Sequence, residues 1–250
     1  MKKSMKKIYY LATGLLLAVS ANAQPVFLIE KNMPTQEATS ANMLVFSVCK
    51  DLEKVEKNLG DFIKERYDLK MKNNSKYSQI AEKASIPALS EYRGDLIAYF
   101  HHTDTGNAAS IGFAMGYDIY LNSQDNAEGM KNFRNMVKNF MSYHYQDYYQ
   151  NSLDDLEKQL KDANKEVNKR ETDINRFKKD DISLGKKIIK EDDPAKKQKL
   201  EADKLEANHK VDILYNELPP YREEISNLEK NTHEVREELN KYLSKILILE

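Results

Sequence analysis

The strongest pattern in the chain is a run of apolar residues spaced alternately three and four apart through its C-terminal part. Positions 153, 156, 160, 163, 167, 170, 174, 177, 181, 184 and 188 are apolar in nine of eleven cases, the exceptions being Arg170 and Asp181. A second series, from Leu200 to Leu249, is apolar at thirteen of fifteen positions, with Lys204 and Thr232 as exceptions. Two sustained heptad series predict coiled-coil helices. Between them lies KEDDPAKKQ, residues 190–198. Pro194 suits a first helical position and Asp193 a cap, so the break predicts an antiparallel hairpin with its tip near 190–198.

The pairing can be tested by arithmetic. A turn centred between Asp192 and Asp193 makes facing residue numbers sum to about 385. Asp181 then faces Lys204 as a register pair, Phe177 faces Ala207, Ala163 faces Tyr221, and Ile174 faces Val211. Large meets small and acid meets base, as close packing requires. Arg170 faces Leu214 and fits less well; its stem is expected to lean outward. The Leu218-Pro219-Pro220-Tyr221 stretch interrupts the second arm without changing its phase, so a kink is expected there rather than a stop. The same heptads also permit pairing between chains, which leaves a monomer and a coiled-coil homo-oligomer both open.

The pattern changes before residue 150. NMLVFSVC (42–49) is β-rich and apolar. Residues 51–72 place Leu52, Val55, Leu59, Phe62 and Ile63 on one helical stripe, with Asp51 as cap. A weak strand at 76–83, a better one at 95–102, a turn at TDTGN and a return strand at 109–122 follow, before a helix opens after Asn122. PVFLIE (25–30) adds an edge strand. The expected class is α+β: a small antiparallel sheet with helices on one face, followed by a long antiparallel coiled-coil hairpin. The expected spans are a signal peptide over 1–23, a head over 24–149 and the hairpin over 150–250.

Near residue 149 the apolar stripe rotates. Phe133, Met136, Val137, Phe140, Met141 and Tyr145 belong to one face, whereas the heptad seam run backwards from Leu153 turns polar. One helix thus serves the sheet first and the second arm later, a stutter-like phase change. The ring-rich stretch YHYQDYYQ (143–150) sits at this rotation and reads as a half-buried aromatic collar. The register brings the C-terminal segment YLSKILILE back beside residues 136–149.

Composition then narrows the address. Lys2, Lys3, Lys6 and Lys7 precede a short apolar stretch ending in ANA before Gln24, the form of a secretory signal cleaved between Ala23 and Gln24. The expected location is periplasmic or secreted, with no transmembrane segment in the mature chain. Removing those lysines leaves 35 basic against 40 acidic residues, a net of −5, which argues against nucleic acid as partner. The single Cys49 lies in an apolar run and reads as a buried thiol.

Candidate chemistry is sparse. No nucleophile elbow, HExxH, P-loop, GxGxxG or CxxC motif occurs. His144 and Asp147 share a helix face, but two ligands do not make a metal site, and a packed role is expected. His101 and His102 beside Asp104 read as a solvated pair at a turn. No catalytic residue, metal or cofactor is assigned. Three functions remain. The first is an interaction or scaffold role through the tip residues Lys190, Glu191, Asp192, Asp193, Lys196 and Lys197, with an unidentified protein partner. The second is a holdase-like envelope chaperone. The third is a small-ligand site in a head hollow between sheet and helices near Tyr99, His101, Tyr117 and Tyr120.

The segments ANAQ, DLEKVEKNLGDFIKERYDLKMK, IPALSEY, DLIAYF and IGFAMGYDIYLNS, followed by a Lys/Glu-rich coiled coil, resemble uncharacterised secreted proteins of Bacteroidota. The resemblance implies an envelope address and the head-plus-coiled-coil architecture, and it implies no activity.

Overall fold

The computed structural model describes residues 25–35, 38, 40–48, 51–103, 106–117 and 119–249. The expected signal peptide, Cys49 and Asp104 lie outside them. The chain divides into two compact units, Met1–Gln150 with Glu237–Glu250, and Asn151–Arg236. The C-terminal segment Glu237–Glu250 thus groups with the first unit.

The first unit is built on a seven-stranded antiparallel sheet. Its strands are β1 (Leu28–Met33), β2 (Ala41–Val48), β3 (Lys72–Ser75), β4 (Ser78–Ala84), β5 (Gly94–Thr103), β6 (Gly106–Gly116) and β7 (Ile119–Tyr120). The spatial order is β1-β2-β6-β5-β4-β3, with β7 also paired to β6. Helix α1 (Leu52–Tyr67) connects β2 to β3. The N-terminal part of helix α2 (Ala127–Lys190) belongs to this unit, as does the C-terminal part of helix α3 (Pro194–Leu247).

Strand alternation sorts the two faces. Phe46 pairs with Ala109, which pairs with Phe100, so these side chains share a face. The Phe46 ring meets Phe140 of α2 at 5.8 Å, and Phe62 of α1 meets Phe140 at 5.6 Å. Both helices thus cover this face, and Leu44, Leu96, Ile111 and Phe113 complete a dry core beneath them. Deeply buried aromatics of this kind dominate the stabilisation, at roughly 25 cal/mol per Å² of apolar surface removed from water. On the opposite face Ala38, Ala41, Met43, Ile97 and Tyr120 form a second cluster, with Ile80 and Tyr99 packed against it. Met43 sits over Gly112, where an added Cβ would overlap its sulfur. A bare glycine is what lets this side chain lie flat on the sheet.

Local chemistry explains the ends of the elements. Asp51 Oδ1 accepts from Lys54 N–H at 3.2 Å and starts α1. The helix stops at Tyr67, short of the expected residue 72, because Asp68 adopts a left-handed conformation (φ 55°) and its N–H closes on Lys64 O. The chain released there forms β3, whose sequence KNNS has little strand propensity; pairing with β4 makes it a strand. The return strand expected over 109–122 is two strands, broken after Gly116, with a register shift between Ala114 and Gly116.

The second unit is the helical hairpin of α2 and α3. Val167, Ile174, Val211 and Leu218 form its buried seam, flanked by Phe177, Leu214, Tyr221 and Ile225. Pro219 and Pro220 lie inside α3, which continues through them. At the tip α2 ends at Lys190 and α3 begins at Pro194. Asp193 Oδ1 accepts from Ala195 N–H at 2.9 Å, capping the helix that Pro194 opens. None of the described helices is long and apolar enough to cross a membrane.

Candidate functional site

Three places gather polar side chains. The first is the hairpin tip. Lys190, Asp192, Asp193, Lys196 and Lys197 are exposed and Glu191 is half-buried. Glu191 Oε1 accepts from Asp193 N–H at 3.2 Å, and Lys196 Nζ stands 3.8 Å from Asp193. The tip is therefore a short, capped turn that holds a mixed-charge cluster in water.

Further along the seam, Asp181 and Lys204 meet at 3.9 Å. Asp181 Oδ1 is buried and makes no hydrogen bond among the described residues. Arg170 does not lean into solvent alone. It donates to Glu166 at 2.6 Å, to Glu217 at 3.3 Å and to the Tyr221 hydroxyl at 2.8 Å. Its guanidinium also lies 4.0 Å from the Tyr221 ring centroid. Sequence spacing missed this set because Glu217 lies about one turn and Tyr221 about two turns from Leu214, the residue directly opposite, and Glu166 lies one turn back on Arg170's own helix. The Arg170 bond holds the Glu166 carboxyl below its ordinary range, outweighing the burial that opposes it.

The second place lies under α1 and α2. His144 is 1% exposed. Asn58 Nδ2 donates to His144 Nδ1 at 3.1 Å and to Asp147 Oδ2 at 3.0 Å. Lys54 Nζ reaches the same Asp147 oxygen at 3.1 Å. Because Nδ1 accepts, the neutral ring carries its proton on Nε2, which is buried and has no partner among the described residues. Phe140 stacks on one side of the ring at 6.0 Å and Tyr145 approaches edge-on at 5.9 Å. Burial, reinforced by the Lys54 charge and opposed by Asp147 and Asp51, pushes the His144 pKa down to about 4. Burial works against the Asp147 charge, but bonds from Asn58 and Lys54 outweigh it and keep its pKa low. The set is a neutral imidazole locked by an amide. The sequence placed His144 and Asp147 together; Lys54 and Asn58 were missed, although a polar Asn58 between Val55 and Phe62 on an apolar stripe is a legible signal.

The third place is the head. Tyr99 and His101 lie on the sheet face away from the helices, since Tyr99 pairs with Ser110 and Ser110 with Val45. Tyr99 packs near Tyr120 in the second cluster. His101 Nε2 bonds Ser110 Oγ at 2.8 Å, and its burial lowers its pKa. Tyr117 is 91% exposed and joins neither. The four residues do not line one hollow between sheet and helices. A polar hollow of about 530 Å³ lies instead beside Glu30, Asn42, Tyr120 and Asn122. Glu30 accepts there from Asn42 and Ser123 N–H, both at 2.9 Å, and from Arg134 at 2.9 Å. Burial opposes the Glu30 charge, yet these donors hold its carboxyl below the ordinary range. They tie β1 to the start of α2 and engage both Glu30 carboxylate oxygens. Among the described residues no three His, Cys, Asp or Glu side chains are grouped to hold a metal.

No protein-family model matches the chain, and neither a curated protein nor a solved structure matches it.

Proposed function

We propose that this is a non-enzymatic interaction or scaffold protein that acts through its helical hairpin. The observation that carries the reading is the tip: a three-residue connection between long helices, capped by Asp193, with Lys190, Asp192, Lys196 and Lys197 held out in water. A pre-organised charged end loses little conformational freedom on binding, which favours recognition of a protein surface. The export signal ending at Ala23 supports action in the periplasm or outside the cell, and N-terminal sequencing of exported protein tests the cleavage before Gln24.

A photo-crosslinker at Lys190 or Lys197 in the native host tests the interaction, with one at Lys70 on the head as control. One discrete protein captured from the tip and not from Lys70 is the expected result. Many unfolded clients would replace the reading by a holdase-like chaperone, for which exposed Ile182, Ile189 and Leu205 are the supporting feature. Capture of nothing from the tip would remove the reading and turn attention to the hollow beside Glu30, where thermal shift against small polar ligands is the screen.

A further inference from the structure

One side of the hairpin changes character along its length. Lettering each heptad a to g, with a and d in the seam, the e positions of the two helices meet on one side. Glu157 pairs with Arg236 at 2.9 Å and Glu171 with Arg222 at 2.9 Å. One step nearer the tip, Lys178 Nζ bonds the Tyr215 hydroxyl at 2.6 Å. The next step brings Gly185 level with Asn208, and the paired seal ends; the nearest group there is the seam Lys204, whose Nζ would lie 3.4 Å from a Cβ added at Gly185.

Around this flat spot the neighbouring b positions are apolar. Ile182 is 59% exposed, Ile189 85% and Leu205 72%. Solvent-facing b positions are normally polar in a two-helix coiled coil, so three exposed aliphatics around a glycine mark a covered surface. The flanking charges divide by helix. On this side α2 contributes Lys178 at an e position, with Lys186 bordering it at f, whereas α3 contributes Glu201 at e and Asp212 at b.

We infer that this face binds a second copy of the chain about a two-fold axis parallel to the hairpin, closing a four-helix bundle at the distal end. The two-fold sets α2 of one copy against α3 of the other. Residues at equal height have numbers summing to about 385–393, as the seam and e-position contacts show. Ile182 therefore meets Leu205 of the second copy, Lys186 meets Glu201, and Lys178 meets Asp212, and the symmetry makes each contact twice. An isologous interface needs a patch complementary to itself, and the basic-on-α2, acidic-on-α3 division provides it. The inference rests on the reading that function resides on the hairpin, and it names a partner for the side of the hairpin rather than for its tip.

Sedimentation equilibrium of the mature chain over a wide concentration range tests it. Wild type should show a reversible monomer–dimer equilibrium. Ile182→Glu and Leu205→Glu should abolish the dimer while leaving the helical circular dichroism and melting unchanged, because both side chains are exposed. Lys186→Glu and Glu201→Lys should each weaken the dimer about tenfold, two lost pairs at a few tenths to one kcal/mol each. The variant carrying both changes should recover it. A wild-type chain that stays monomeric up to its solubility limit overturns the inference, as does a dimer indifferent to Ile182→Glu. Self-association is separable from the tip reading. A monomer whose Lys190 crosslinks another protein removes only the dimer, and a dimer whose tip captures nothing removes only the tip partner.

Discussion

His144 in the first unit and Arg170 in the second each stand in a largely apolar layer, and they meet opposite fates. His144 lies between sheet-packed helices, enclosed by Phe140 and Tyr145, and stays neutral. Arg170 lies in a layer one helix pair thick and stays charged, because Glu166 and Glu217 stand at the rim within reach. Depth makes the difference. A core covered on all sides offers no water to share a charge, so the protonatable group gives up its proton. A two-helix seam is never more than a side chain's length from solvent, so a long cation keeps its charge by extending to the edge.

Large-to-small change in the thick core should therefore produce the largest effect. Phe140→Ala removes a ring wedged between Phe46 and Phe62, and should cost about 3–5 kcal/mol in a urea melt followed on the first unit. A cost below about 1 kcal/mol would mean that this layer is not the dry core described.

The neutral His144 makes a pH prediction of fixed sign. Its folded pKa lies below its unfolded value, so the unfolded chain takes up the proton first as pH falls. Its contribution is fully present above about pH 6.5 and is lost progressively down to about pH 4, a total near 3 kcal/mol. Denaturant melts at intervals across this window should show the slope, and His144→Phe should flatten it. An unchanged slope in the variant would return the effect to the carboxylates. Asp147 and Glu30, with lowered pKa values, begin to lose their contributions as pH falls into the ordinary carboxylate range and lose the rest below it, so they overlap only the acid end of this window.

In the thin seam the corresponding change should help rather than harm. Asp181→Leu together with Lys204→Leu replaces a loosely met pair, one oxygen of which is buried and unbonded, by apolar contact. The melting temperature should rise, by an amount equivalent to about 1 kcal/mol. A large fall would show that the pair holds the register. The smallest effect is expected at the exposed e-position ion pairs. Arg222→Gln should cost no more than about 0.5 kcal/mol in the same melt.

How far the sequence could be read follows from the range of each interaction. The hairpin was legible because a heptad repeats one local rule many times, and because the turn at Asp193-Pro194 carries its own capping chemistry. The Asp181–Lys204 proximity came from that arithmetic alone. Arg170 was not legible, since its contacts with Glu217 and Tyr221 depend on which way a long side chain bends. In the head, α1 and the central strands followed from apolar spacing, whereas the left-handed Asp68 that shortens α1 and the pairing that makes KNNS a strand did not.

The sequence by itself determined the periods: alternation for the sheet, three-and-four spacing for the helices, and the rotation of the apolar stripe near Tyr149. Those are properties of neighbours along the chain. The tertiary structure decided which sheet face Tyr99 and His101 occupy, that Asn58 and Lys54 join His144 and Asp147, and that Ile182, Gly185 and Leu205 end up on the same side of the hairpin. Asn58 and His144 stand far apart in sequence, and Ile182 and Leu205 are brought to one side only when the turn is closed. No local rule couples such residues; only closure of the chain into one register does.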